Sequence, residues 1–263
     1  THTEGTKDMI EDVVLKEVVS SSEWQARCDL AALYRLIAHF RMTDLIDTHI
    51  SVRVPNEPDH FLINRYGVLF DHMKASDLVK IDHDGNIVGE FDQGKNVNRA
   101  GFVIHSAIHH ARAEVNCVIH THTADGMAVS TQKNGLLPLT QHALKFYGCL
   151  SYHAYEGVAL SLEERERLVA DLGNNNAMVL YNHGLLAAGE SVHAAFHTLY
   201  FLERACQAQI KAQSAGAELI VPSEAVCAHT AKQFADEDTP EYVKMVWDAA
   251  LALIAHQAED YCS

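Results

Sequence analysis

Two histidines one residue apart close an apolar run in "CVIHTHTADGMAVS", residues 117–130. Side chains alternate across a strand, so His120 and His122 share one face, about 7 Å apart at ~3.3 Å per residue. Two imidazoles in that relation can chelate one metal ion, and a third ligand must come from elsewhere in the chain. The best-placed candidate is His183 in "LYNHGLL", which also ends an apolar strand. Gly184 follows it and would let the backbone turn away sharply. Three neutral imidazoles with a vacant fourth position are a ligand set that keeps zinc or iron catalytic rather than structural. Histidines are more often hydrogen-bonded core or surface residues than ligands, and spacing alone leaves both readings open. The small residues Ala124, Gly126 and Ala128 leave room for the next helix to pack close.

The elements that would position these groups can be read from periodicity. "SSSEWQARCDLAALYRLIAHF" carries Trp24, Cys28, Ala31, Leu33 and Leu36 at helical spacing, with Ser22 as N-cap. "HISVRVP" alternates as a strand, and "HFLINRYGVLF" and "DLVKIDHDGNIVGEF" supply further short strands, suggesting an antiparallel meander. A helix over "AGFVIHSAIHHARAE" leads into the strand "NCVIHTH". A second helix, "SLEERERLVADLG", opens with a Ser161–Glu164 capping box, closes on Gly173 and leads into the strand "AMVLYNH". "GLLAAGE" runs into a long helix over about Val192 to Ser214. A polar link holding Pro222 and Pro240 precedes a terminal helix over roughly Glu241 to Glu259. The expected organisation is a flexible arm over 1–18, one α/β domain over 19–220, and a C-terminal arm and helix over 221–263.

Composition excludes several partner classes. The formal charge of the 263 residues is -15, with no basic cluster to offset it, which disfavours nucleic acid and anionic membrane surfaces. No apolar stretch approaches the roughly 20 residues of a membrane span, and the N-terminal residues lack the apolar segment of a secretory signal. A cytoplasmic protein is expected. Its six cysteines, scattered without a C-x-x-C pair, are read as reduced thiols that mostly fill the core. Histidine is abundant, at 18 residues against 20 Lys plus Arg, so position must choose among them.

"AGFVIHSAIHHARAEVNCVIHTHTADGMAVS", "GLLPLTQHALKFYG", "LSYHAYEG" and "VLYNHGLLAAGESVHAAF" resemble the class II aldolase/adducin family, and specifically its adducin-head-like bacterial branch. The resemblance runs from about Glu23 to Gln213. It implies a three-layer α/β/α fold around a central, mainly antiparallel sheet. It also implies one divalent metal ion, zinc or iron(II), on His120, His122 and His183, and a homotetramer with active sites at subunit interfaces.

The chain departs from the sugar-phosphate aldolases of that family at two places. Their Ser-Ser-Glu run falls on Arg99, Ala100 and Gly101, so the glutamate that shuttles a proton is absent. Their phosphate cradle is altered to "THIS" (Thr48 to Ser51) and "NRYG" (Asn64 to Gly67). Arg99, and alternatively Arg65, offers a guanidinium suited to a planar carboxylate, with a surface or intra-fold ion pair as the other reading of each. A carboxylate-bearing substrate fits better than a sugar phosphate, with Arg99, His49 and Asn64 as expected binding residues. His142 and Tyr152 are expected to take over acid/base work, ahead of His153, His105 and His109; a core hydroxyl is the other reading of Tyr152.

Three functions follow from the resemblance. The first is a metal-dependent lyase acting on a small carboxylate- or carbonyl-bearing substrate. The second is a mononuclear non-haem iron oxygenase that oxidatively decarboxylates an aryl 2-oxo or 2-hydroxy acid, chemistry that needs no proton-transfer glutamate. The third is a non-catalytic binding head, against which the retained histidine triad argues.

Overall fold

The computed structural model describes residues 15–158 and 161–263. Of the arm expected over 1–18, residues 1–14 lie outside them. Helix α1 (Ser21–His39) is capped by Ser20, whose hydroxyl accepts from the Glu23 amide, two residues earlier than the sequence suggests. Strands β1 (Ile50–Val54), β2 (Glu57–Ile63) and β3 (Val79–Ile81) form the meander. Then follow α2 (Arg99–Ala111), β4 (Cys117–Thr121), α3 (Ala124–Ser130), α4 (Gln141–Leu144), β5 (Leu150–His153), α5 (Leu162–Leu172), β6 (Ala177–Leu180) and β7 (Gly184–Gly189). The chain ends with α6 (Val192–Ser214), α7 (Glu224–Glu237), α8 (Pro240–Leu253) and α9 (Ala258–Tyr261).

The seven strands make one sheet in the order β3-β2-β1-β4-β7-β6-β5. Every neighbouring pair is antiparallel except β5 with β6, which is parallel. Alternation along the central strands sorts the core into two layers. Val118, Met178, Leu180, Leu186 and Ala188 pack against Ile104 and Ile108 of α2 and Leu168 and Leu172 of α5. Their neighbours Cys117, Ile119, Val179, Leu185 and Ala187 face the opposite way, among buried residues of α1, α6 and α8. Helices on both faces give the three-layer α/β/α arrangement. A slip of β4 by one residue would exchange these layers and turn His120 to the wrong face, so burial on both faces fixes the register of the site.

Three stretches differ from their reading in sequence. "GLLAAG" is the buried strand β7, central in the sheet; a continuous apolar run has no alternation to mark it. The polar link holds α7, most of whose residues are exposed. The terminal helix breaks at Ile254, which leaves helical geometry with φ -117°. Trp247 before the break, Ile254 at it and Tyr261 after it all join the core. Beyond it, Cys262 meets Cys28 in a disulfide, with Cα atoms 4.7 Å apart. The expectation of six reduced thiols is corrected for this pair, since 234 positions separate residues that folding makes adjacent. Cys117, Cys149, Cys206 and Cys227 remain free, all but Cys149 buried. No described helix is long and apolar enough to cross a membrane.

Candidate metal centre

His120 ends β4, His122 follows it on the same face, and His183 lies in the tight β6–β7 connection. The turn is made by Asn182, in left-handed conformation at φ 59°. Gly184 serves close approach instead: a Cβ there would stand 2.2 Å from the Thr121 carbonyl oxygen, so only glycine lets β7 run so near the ligand strand.

The three Nε2 atoms converge, at 2.9 Å for His120–His122, 2.9 Å for His122–His183 and 3.3 Å for His120–His183. Nitrogens held about 2.0–2.1 Å from one tetrahedral ion lie about 3.3 Å apart, so the triangle fits a single ion closely. The outer nitrogens fix the tautomers. His120 Nδ1 donates to the Leu185 carbonyl at 2.9 Å and His122 Nδ1 to the Asp44 carboxylate at 3.0 Å. Both rings therefore turn Nε2 lone pairs inward, a mutually repulsive arrangement that a cation would relieve. Burial, reinforced by the neighbouring imidazoles, holds His120 far below the ordinary histidine range and His183 at about 4. Those two rings are thus neutral, as ligands must be. Tyr155, 49% exposed, stands 6.0 Å from the His183 ring, centroid to centroid.

Beside the triad, His49 and Asn64 come together. His49 Nδ1 lies 3.0 Å from Asn64 Oδ1, which is also 3.0 Å from the Tyr34 hydroxyl. The His120 amide donates to the His49 carbonyl at 3.3 Å, tying this group to β4. Burial lowers the His49 pKa, partly offset by its bond to Asn64. Gly101 opposes the ring, occupying the place where residue 101 would otherwise project a side chain.

Behind this group, Ser51 bridges two buried imidazoles. His109 Nδ1 donates to the Val115 carbonyl at 3.1 Å, so its Nε2 accepts the Ser51 hydroxyl at 2.8 Å. Ser51 Oγ then accepts from His105 Nδ1 at 2.7 Å, and His105 Nε2 is left as a buried lone pair with no partner among the described residues.

Among the described residues, the other expected residues make no hydrogen bond to the triad. Arg99 is exposed at the head of α2, its stem against Gly85, where a Cβ would meet its Cγ at 3.3 Å. His142, on α4, packs edge-on against Phe201 at 5.0 Å. Tyr152 stacks on Tyr181, and its hydroxyl accepts the Leu136 amide at 3.0 Å. Burial raises the pKa of that phenol. Asp44, Tyr34 and Tyr155 complete the surroundings and were not singled out from sequence. Asp44 reaches His122 across 78 positions, and nothing local in "RMTDLIDTHIS" marks it.

The sequence profile described as Class II Aldolase and Adducin N-terminal domain matches residues 28–210. The chain belongs to the class II aldolase and adducin family. As a member, it is similar to an aldolase II superfamily protein from Pseudomonas syringae, known from its crystal structure. The identity is 50% and the TM-score 0.91, over 95% of this chain and 100% of that one. It is also similar to L-fuculose 1-phosphate aldolase from Glaciozyma antarctica, 31% identical with a TM-score of 0.81, over 91% and 92% of the two chains. Rat alpha-adducin is 43% identical over 70% of this chain, a match that spans 25% of the adducin. The class II aldolase fold and the histidine triad thus occur together in this chain.

Proposed function

We propose that this chain is a metal-dependent lyase acting on a small carboxylate- or carbonyl-bearing substrate, with one divalent ion, zinc or iron(II), on His120, His122 and His183. The observation that carries this reading is the convergence of three Nε2 atoms, two of them with tautomers fixed by Leu185 and Asp44. A bound ion would supply Lewis acidity at a substrate oxygen, stabilising the negative charge that develops when a carbon–carbon bond breaks. The similarity to a fuculose-phosphate aldolase supports cleavage of that kind.

The chain's own residues then bind and orient. His49 and Asn64 form the polar wall beside the triad, and Arg99 offers a guanidinium to a carboxylate. His142 and Tyr152 make no hydrogen bond to the triad of their own chain among the described residues; we assign His142 to the site of a neighbouring copy in a homotetramer, and Tyr152 to support of the 135–136 loop. One observation favours a second reading, an iron oxygenase acting on a 2-oxo or 2-hydroxy acid: the place of the proton-transferring carboxylate is taken by Gly101 and a buried imidazole.

Metal analysis of protein purified without added metal, followed by assays of carbonyl release and O2 uptake with a panel of 2-oxo and 2-hydroxy acids, tests the ranking. Zinc with cleavage and no O2 uptake supports the lyase. Iron with stoichiometric O2 uptake overturns it in favour of the oxygenase.

A further inference from the structure

The space in front of Gly101 is filled, and by a specific group. A Cβ built on Gly101 would stand 2.2 Å from His49 Nε2 and 2.4 Å from its Cδ2, closer than real atoms approach. Position 101 must therefore lack a side chain for His49 to sit where it does. The ring is placed there by Thr48, left-handed at φ 68°, which brings the chain into β1 with His49 only 4% exposed.

Its orientation is fixed too. Asn64 Oδ1 faces the Tyr34 hydroxyl and His49 Nδ1, each at 3.0 Å. The single proton of the Tyr34 hydroxyl goes to the Ile50 carbonyl at 2.7 Å, so with the Asn64 amide turned this way its Oδ1 takes a proton from the ring, which places that proton on Nδ1. A neutral imidazole protonated there presents a lone pair at Nε2, and no described residue hydrogen-bonds to that atom. The ring stands beside the triad, because the His49 carbonyl accepts the amide of His120 at 3.3 Å where β1 pairs with β4.

We propose that His49 Nε2 is the acceptor that selects a hydroxyl-bearing substrate, a 2-hydroxy acid over its 2-oxo counterpart. The proposal rests on the reading of the triad as a site for small carboxylates and deepens it. An acceptor in the wall of the site pairs with a substrate O–H and cannot pair with a carbonyl, and sites built around such a bond discriminate against the analogue that lacks it. Gly101 is the second half of the device, because any larger residue would evict the ring.

Calorimetric titration of the zinc-loaded protein with lactate and pyruvate, which differ in that one donor, tests the proposal. Whatever preference zinc itself has for either acid cancels when the lactate-to-pyruvate affinity ratio of wild type is divided by that of His49→Phe. The ratio is expected to fall by about tenfold or more in the variant, with zinc content kept. An unchanged ratio in a folded, zinc-loaded variant overturns the proposal and leaves the site reading standing. A zinc-loaded wild type that binds neither acid overturns the site reading, and the proposal with it. If the Phe variant does not fold, Gly101→Ala serves in its place, with the same fall expected.

The seat can also be read without metal or ligand. Gly101→Ala should lower the urea midpoint, and adding His49→Ala should recover most of the loss. Strictly additive losses would show that ring and glycine do not share the space, and would overturn the proposal as well.

Discussion

Asp44 Oδ2 accepts the Nδ1 proton of His122 at 3.0 Å, so a carboxylate in the loop before β1 orients a ligand at the end of β4. Partners of this kind fix the tautomer of a metal-binding histidine and raise its basicity. Asp44→Ala is expected to weaken zinc binding by roughly 10–100-fold while leaving the saturated stoichiometry unchanged. Competition against a chelator of known affinity reads this directly; equal affinities in wild type and variant would sink the assignment.

Gly184 is a matter of backbone packing. The methyl of Gly184→Ala would meet the Thr121 carbonyl oxygen at 2.2 Å, and that atom belongs to the β4 backbone rather than to a flexible side chain. The variant should lose about 1–3 kcal/mol of stability in urea unfolding. It should also hold less zinc, since β4 carries His120 and β7 adjoins His183. A wild-type midpoint would contradict the packing argument.

The Ser51–His105–His109 network makes the fold sensitive to acid. Burial, with Arg53 nearby, pushes His109 down to about 3, against ~6.5 in an unfolded chain. Between those values the unfolded chain binds a proton that the folded chain refuses. Stability therefore rises with pH in this window and falls on acidification. From pH 7 to pH 5 His109 alone should cost roughly 2 kcal/mol. Urea midpoints at both pH values, in wild type and His109→Phe, test the sign. The variant should show the smaller drop, and an equal or larger one would refute the linkage.

The Cys28–Cys262 bond staples the chain end to α1. Arg35 adds bonds to Gln257 at 3.1 Å and Asp260 at 2.6 Å, and the Ser76 amide donates to the Ser263 carbonyl at 2.9 Å. Cys262→Ser should lower stability by about 2–4 kcal/mol, and unreduced peptide mapping should find residues 28 and 262 in one linked fragment. Recovery of both cysteines as free thiols from oxidised protein would contradict the pairing.

Much of this was legible in the sequence, because it rests on local periodicity. The x-His-x-His spacing needed only strand alternation to place His120 and His122 on one face. The Ser161 cap and Gly173 stop bounded α5, and Val192–Ser214 matched a whole helix. What stayed hidden depends on contacts between distant segments. Strand β7 carries no alternation because both its faces are buried. Asp44, the Cys28–Cys262 bond and the fit of His49 against Gly101 join residues whose neighbours in sequence give no sign of the pairing. Gly101 showed that a proton carrier was missing, and only the folded chain shows which ring stands in its space.

The central claim is that His120, His122 and His183 grip one ion, and metal content measures it. Protein saturated with zinc and then freed of excess should carry about one ion per chain by plasma emission analysis, and each single His→Ala variant less than about a tenth of one. Wild type that retains no zinc, or folded variants that retain as much as wild type, would contradict the account.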